Sequence, residues 1–120
     1  MSKTILIVDD SPSVRQVVEF TLTDAGYNVI SADDGSTGLE QLNGQKIHLI
    51  VSDVNMPIMD GLTFAENVKK NDAYAFTPIL MLTTESGSDL KEKGKAIGVK
   101  AWLVKPFKPN LLLSAVNKLA

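Results

Sequence analysis

The chain contains no cysteine. That excludes a disulfide scaffold, a thiolate metal site and a cysteine nucleophile. It has one histidine, His48, so a multi-histidine metal centre cannot form. Aromatic residues are sparse at 6%, with Trp102 the only tryptophan. An excess of one charge is also missing. Twelve basic and fourteen acidic residues leave a net charge of −2, which gives no general attraction to nucleic acid. Long apolar runs are absent too. Met1-Ser2-Lys3 leads into an apolar run about five residues long, too short for a signal peptide or a membrane span. What remains is 120 residues, 44% hydrophobic and 22% charged, without repeat, low-complexity tract or linker. A chain of this size buries roughly two-thirds of its unfolded surface, enough for one core without staples. The expectation is one soluble, cytoplasmic domain over residues 1–120.

Five short apolar runs recur: Thr4 to Val8, Asn28 to Ala32, His48 to Ser52, Pro78 to Thr83 and Ala101 to Lys105. The first, third and fourth are nearly continuous in aliphatic residues, as in strands buried on both faces of a parallel sheet. The second alternates more and suits an edge. Helical segments lie between and after them. Ser11 is a good N-cap with Pro12 at the first helical position, and Val14, Val17, Val18, Thr21, Leu22 and Ala25 form one stripe before Gly26. Asp34-Gly35 opens a shorter helix reaching about Leu42, ended by Asn43-Gly44. Gly61 precedes a third helix, with Leu62, Ala65 and Val68 facing inward. Ser86-Gly87-Ser88-Asp89 resembles a capping start for a fourth, ended at Gly98. Pro109 opens the fifth, with Leu112, Ala115, Val116 and Leu119 on one face. Five right-handed β-α units imply a doubly wound α/β sheet with helices on both faces. A barrel needs eight such units. In doubly wound sheets the site lies at the carboxyl ends of the strands.

Polar residues just past those ends carry the chemistry. Asp9 and Asp10 follow the first run, Asp53 ends the third, Thr83 and Thr84 end the fourth, and Lys105 ends the fifth. Three carboxylates in one pocket repel, on the order of 4 kcal/mol per pair at about 4 Å and an effective dielectric near 20. A bound cation or raised pKa values relieve this. All-oxygen ligands select a hard ion, and a compact carboxylate site that keeps waters suits Mg²⁺ better than Ca²⁺. A hydroxyl, an ammonium and a divalent ion around a carboxylate are also what a transferring phosphoryl group requires. Asp53 can then serve as a carboxylate nucleophile and form an acyl phosphate.

Taken together, Ile7-Val8-Asp9-Asp10-Ser11, Asp53-Val54-Asn55-Met56-Pro57-Ile58-Met59-Asp60-Gly61, Leu82-Thr83-Thr84 and Lys105-Pro106-Phe107 resemble the receiver domain of two-component response regulators. The resemblance covers essentially the whole chain. It implies a flavodoxin-like sheet of strand order 2-1-3-4-5, an order this family is known for. It implies Asp53 as phosphoacceptor from a sensor histidine kinase. Asp10, Asp53 and the backbone carbonyl of Asn55 would ligate Mg²⁺, with Asp9 acting through water. Lys105 would meet the phosphoryl oxygens and Thr83 would move to hydrogen-bond them, with a cis Lys105-Pro106 peptide. Trp102 stands where the family carries a switch tyrosine or phenylalanine. Asn55 and Glu85 match the chemotaxis type. The fourth helix, fifth strand and fifth helix would form the partner surface, for an output protein such as a flagellar motor switch protein, with a phosphatase as a further partner. The implied protein is a monomeric phosphorylation switch without output domain. It is not an enzyme beyond its own phosphorylation and dephosphorylation, and has no nucleic-acid or membrane partner.

Two residues depart from the family. Trp102 is bulkier than tyrosine and donates through an indole N–H. Thr84 replaces a smaller residue and narrows the approach to Asp53. Within the class, a phosphate sink or relay is the alternative to motor binding. An FMN binder of the same fold needs a Ser/Thr/Gly loop after the first strand, where Asp9 and Asp10 would repel a dianion. An aspartyl phosphatase needs a second acid two residues after its nucleophile, where Asn55 stands. His48 opens the third strand away from the site and reads as structural. Met56, Met59 and Met81 read as packing, and Lys91, Glu92, Lys93 and Lys95 as a solvated helix face.

Overall fold

The computed structural model describes residues 2–84 and 88–120. Five strands alternate with five helices: β1 (Thr4–Val8), α1 (Pro12–Asp24), β2 (Asn28–Ala32), α2 (Gly35–Glu40), β3 (Leu49–Asp53), α3 (Gly61–Lys70), β4 (Ile79–Thr83), α4 (Ser88–Ile97), β5 (Ala101–Val104) and α5 (Pro109–Leu119). The strands form one sheet in the order β2-β1-β3-β4-β5, every pairing parallel. The doubly wound fold expected from the sequence is therefore present.

The sheet separates two hydrophobic layers. Alternate strand residues point to opposite faces, so Leu6, Val8, Ile50 and Met81 pack under α2, α3 and α4 around Phe64. Ile5, Ile7, Val51, Leu80 and Leu82 pack under α1 and α5 against Val18, Leu22, Leu112 and Val116. Burial of each such aliphatic side chain contributes about 1.5–3 kcal/mol. β3 and β4 are buried along their whole length, whereas β2 and β5 close the two edges with partly exposed residues.

Among the described residues, side-chain caps open three helices. Ser11 accepts from the Val14 N–H at 3.4 Å, Asp34 from Thr37 at 2.7 Å and Asp60 from Thr63 at 2.8 Å. Pro12 and Pro109 occupy first-turn positions. Several sequence expectations need correction. Val17 is 47% exposed and Ala25 is also exposed, because only Val14, Val18 and Leu22, four residues apart, face the sheet. Phe64, not singled out from the pattern, is wholly buried. α2 stops at Glu40, because Gln41 and Leu42 donate to carbonyls three residues back and tighten the last turn. Gly61 is the first residue of α3, with Asp60 as its cap. β3 begins at Leu49 and β5 ends at Val104, so His48 and Lys105 flank strands rather than belong to them. The capping start read at Ser86-Gly87 lies outside the described residues.

Candidate functional site

Sheet register assembles the site. Val8 pairs with Ser52, so Asp9, the next residue, stands level with Asp53 at the end of β3. Asp53 pairs with Leu82 and Thr83 with Val104, which brings the start of the β5–α5 loop beside them. The Lys105 N–H donates to the Thr83 carbonyl at 2.7 Å and fixes where the lysine side chain departs. The Lys105-Pro106 peptide is cis.

Asp9 is fully buried. Its Oδ1 accepts from the Ser11 N–H at 2.9 Å, a local turn that aims the carboxylate across the sheet end. Its Oδ2 accepts from Lys105 Nζ at 3.0 Å, and the same ammonium lies 3.2 Å from Asp53 Oδ2. Asp53 is only 5% exposed. Asp10 faces solvent, yet one oxygen of each of Asp9, Asp10 and Asp53 lies within 4.8 Å of the others. Burial raises the Asp53 carboxyl above its ordinary value and the Asp9 charge adds to the effect, while Lys105 and the Asn55 N–H oppose it. Burial works against the Lys105 ammonium, but the hydrogen bond and charge of Asp9, and then Asp53, hold it above its ordinary value. One lysine thus holds two carboxylates, and the third is left to solvent or to a cation.

The loop from β3 to α3 sets the nucleophile's position. A Cβ at Gly61 would lie 2.2 Å from the Asp53 carbonyl oxygen and 2.8 Å from Val54 Cα, so only glycine allows α3 to start this close to β3. The Gly61 N–H donates to the Val54 carbonyl at 2.7 Å, and the Ser52 hydroxyl to the Asp53 carbonyl at 2.9 Å. Between them Ile58 adopts φ +70°, and Met59 donates to Pro57 across it at 2.7 Å. This is a tight γ-turn in the left-handed region, strained for a β-branched residue. Such strain is held beside functional sites where the surrounding structure enforces it.

Some of the remaining sequence candidates fall beside this cluster and others away from it. Thr83 is buried at the end of β4, and Asn55 is exposed in the loop after Asp53. Thr84 is exposed and lines a groove of about 390 Å³ with Val14, Val17, Lys105, Pro106 and Phe107. Glu85 lies outside the described residues. Trp102 is half-buried, packed on the α2–α3–α4 side of the sheet. It lies apart from the carboxylates, although strand alternation gives it the same face as Val104, the partner of Thr83. His48 sits at the opposite end, its Nδ1 accepting from the Thr4 N–H at 3.0 Å. Met81 is core, and Met56 and Met59 pack against it. Sequence reasoning missed Arg15, the chain's one arginine, whose Nη1 donates to the Asp9 carbonyl at 2.6 Å. Its only signal was its place in the first turn after the Ser11 cap.

Chemically, three clustered carboxylates without nitrogen or sulfur donors fit a hard divalent cation, and the exposed Asp10 leaves a side open to water. A buried carboxylate at a switch-point edge, flanked by an ammonium and a cation site, defines a class: doubly wound α/β proteins that handle a phosphoryl group at the carboxyl end of the sheet.

Comparison with known proteins narrows this class. The family model for the response regulator receiver domain matches residues 5–117, and the chain belongs to this family. The structure of Vibrio cholerae chemotaxis protein CheY4 is similar over 100% of both chains, with 47% identity and a TM-score of 0.96. Chemotaxis protein CheY of Pseudomonas aeruginosa is 34% identical over 96% of this chain and 94% of its own length. The receiver domain of a P. aeruginosa sensor histidine kinase, solved with magnesium coordinated in its active-site cleft, has a TM-score of 0.89 at 26% identity, covering 99% and 98%. The protein is a response regulator receiver.

Proposed function

We propose that Asp53 is the phosphoacceptor of this receiver and that its phosphorylation switches binding of an output partner in chemotaxis signalling. A sensor histidine kinase is the donor. The observation that carries the reading is the Asp53 carboxylate itself, nearly buried at the end of β3 and 3.2 Å from Lys105, with Asp9 and Asp10 beside it. An Asp53 oxygen attacks phosphorus, the nitrogen–phosphorus bond of the phosphohistidine breaks, and an acyl phosphate forms. Lys105, already turned toward Asp53, can follow the developing charge on the phosphoryl oxygens. Asp10, Asp53 and the Asn55 carbonyl are the residues that would hold Mg²⁺, with Asp9 behind them. When bound, the ion neutralises charge on the transferring group. Thr83, buried at the end of the neighbouring strand, would donate its hydroxyl to a phosphoryl oxygen and pass the change toward Trp102. Thr84, exposed just past the end of β4, would border the approach.

The similarity to chemotaxis proteins of Vibrio and Pseudomonas supports the chemotaxis assignment, with a flagellar motor switch protein as output partner and a phosphatase to reset it. This reading makes the protein a cytoplasmic monomer; separately, no helix among the described residues is long and apolar enough to cross a membrane. The test is labelling with acetyl phosphate and Mg²⁺. It should add one acid-stable, base-labile phosphoryl group, and Asp53→Asn should abolish it. Undiminished labelling of that variant would move the acceptor elsewhere.

A further inference from the structure

Every polar atom of the buried Asp9 has a partner. Its N–H donates to the Ala32 carbonyl at 3.1 Å, its Oδ1 accepts from the Ser11 N–H at 2.9 Å, and its Oδ2 accepts from Lys105 at 3.0 Å. Its carbonyl accepts from Arg15 Nη1 at 2.6 Å. That last contact has a different reach from the others. The Asp9 carbonyl belongs to the peptide that leads into Asp10, so whatever holds it also sets the direction in which Asp10 leaves β1. Asp10 is exposed, and among the described residues no side-chain hydrogen bond or ion pair restrains its carboxylate. The Asp9–Asp10 peptide is therefore what aims it.

α1 delivers the guanidinium to this spot. The Arg15 N–H donates to the Ser11 carbonyl at 3.0 Å, which places the residue in the first turn. Helical side chains lean toward the N-terminus, so a long one here reaches back past the Ser11 cap to the end of β1. A neutral donor would be enough to satisfy a buried carbonyl. A charged donor binds it more tightly, yet its positive charge repels a divalent cation held by the same loop. The two effects on the cation have opposite signs, and that makes them separable.

We propose that Arg15 is a positioning residue for the cation site: by holding the Asp9 carbonyl it fixes the Asp9–Asp10 peptide, so that both carboxylates start out aimed at one point. This inference rests on the receiver reading and adds a residue to its Mg²⁺ site. The gain from alignment exceeds the repulsion from the guanidinium.

Melting temperature followed against Mg²⁺ concentration gives the dissociation constant without any turnover. Arg15→Met keeps an apolar stem and removes the donor and the charge. It should weaken Mg²⁺ about tenfold, the size expected when a group supporting a metal ligand is lost. Its labelling by acetyl phosphate should slow at low Mg²⁺ and return to within about twofold of the parent rate at saturating Mg²⁺, because Asp53 and Lys105 are untouched. Val18→Ala, which opens a cavity beneath the same helix, should lower the melting temperature yet leave Mg²⁺ affinity within about twofold. Unchanged or tighter Mg²⁺ binding by Arg15→Met overturns the positioning role, since the guanidinium would then act only through its charge or as one more donor. Equal weakening by Val18→Ala overturns it too, as would a labelling rate of Arg15→Met that stays low at saturating Mg²⁺. A parent that neither gains stability from Mg²⁺ nor is labelled at Asp53 overturns the receiver mechanism as well, whereas a normal parent beside an unaffected Arg15→Met overturns the positioning role alone.

Discussion

Two partly buried lysines sit at opposite ends of the sheet and meet opposite fates. Lys105, at the carboxyl end, faces Asp9 at 3.0 Å and Asp53 at 3.2 Å, and its ammonium is held above the ordinary value despite burial. Lys69, at the amino end, donates to the Thr77 carbonyl at 2.6 Å; burial and then the Lys100 charge push it below that value. Their surroundings follow the same division. At the amino end the Tyr74 hydroxyl donates to the Gln45 carbonyl at 2.6 Å, and His48 Nδ1 accepts from the Thr4 N–H, so the side chains there meet backbone groups rather than carboxylates. Each end has a cleft of about 390 Å³. Cavity size therefore does not mark the functional end. Clustered like charge does, because it gains stability from a cation and not from closer packing.

The sharpest break in the comparison comes from the backbone that builds the carboxyl end. Gly61→Ala places a Cβ against main-chain atoms that cannot move aside, and should cost about 3 kcal/mol of stability. Chemical denaturation measures it. A loss under about 1 kcal/mol would mean that the β3–α3 junction yields, and that the nucleophile is not fixed by this approach.

Next come the lysines themselves. Lys105→Met leaves Asp9 and Asp53 facing each other and should cost about 2–3 kcal/mol without metal, less than a fully buried broken pair because Asp53 can take up a proton. Lys69→Met removes a desolvated charge along with one hydrogen bond, and should change stability by less than about 1 kcal/mol. Equal losses would erase the distinction between the ends.

A smaller effect tests the cation. Asp10→Asn removes repulsion at the exposed corner and should raise the melting temperature without metal by about 4 °C, the shift that about 1 kcal/mol produces in a domain of this size. It should also abolish the stabilisation that Mg²⁺ gives the parent by mass action. If Mg²⁺ raises the variant's melting temperature as much as the parent's, the ion sits elsewhere.

The smallest effect is the order of titration. The contribution of Lys105 is fully present below 10.5 and is lost as pH climbs through its higher folded value. The protonated form of Lys69 is penalised by the fold, so stability recovers as pH rises through its lowered value toward 10.5. Asp53 behaves in the opposite direction from most carboxylates. Its penalty is present above its raised folded value and fades as pH falls through that value toward 3.8. Side-chain NMR should find Lys69 losing its proton before Lys105, and the reverse order would contradict both environments.

Most of the fold was legible because its signals are local. Apolar runs with the period of a strand, stripes with the period of a helix, and caps such as Ser11-Pro12 are steric and hydrogen-bonding preferences of neighbouring residues, so β1, β2 and α5 fell where the pattern put them. Where local rules compete, the boundaries slipped. α2 ended early in a tightened turn, and Val17 turned to solvent although it lies within the apolar stripe. Asp9, Asp10, Asp53 and Lys105 were readable as candidates because each follows a strand, and residues after parallel strands share one edge of the sheet.

By itself, then, the sequence determined the alternation of strands and helices, the parallel sheet, and which polar residues would gather at its carboxyl edge. Only the tertiary structure decided how they pair. Lys105 reaches Asp9 across 96 positions, Arg15 anchors the Asp9 carbonyl, and Gly61 lets α3 touch the Asp53 backbone. The Trp102 indole finds its place only where α4 presents Gly94. Local periodicity carries no information about these distances. They follow from strand register and from the few ångströms by which packed helices approach a sheet, and those are settled only when the whole core closes.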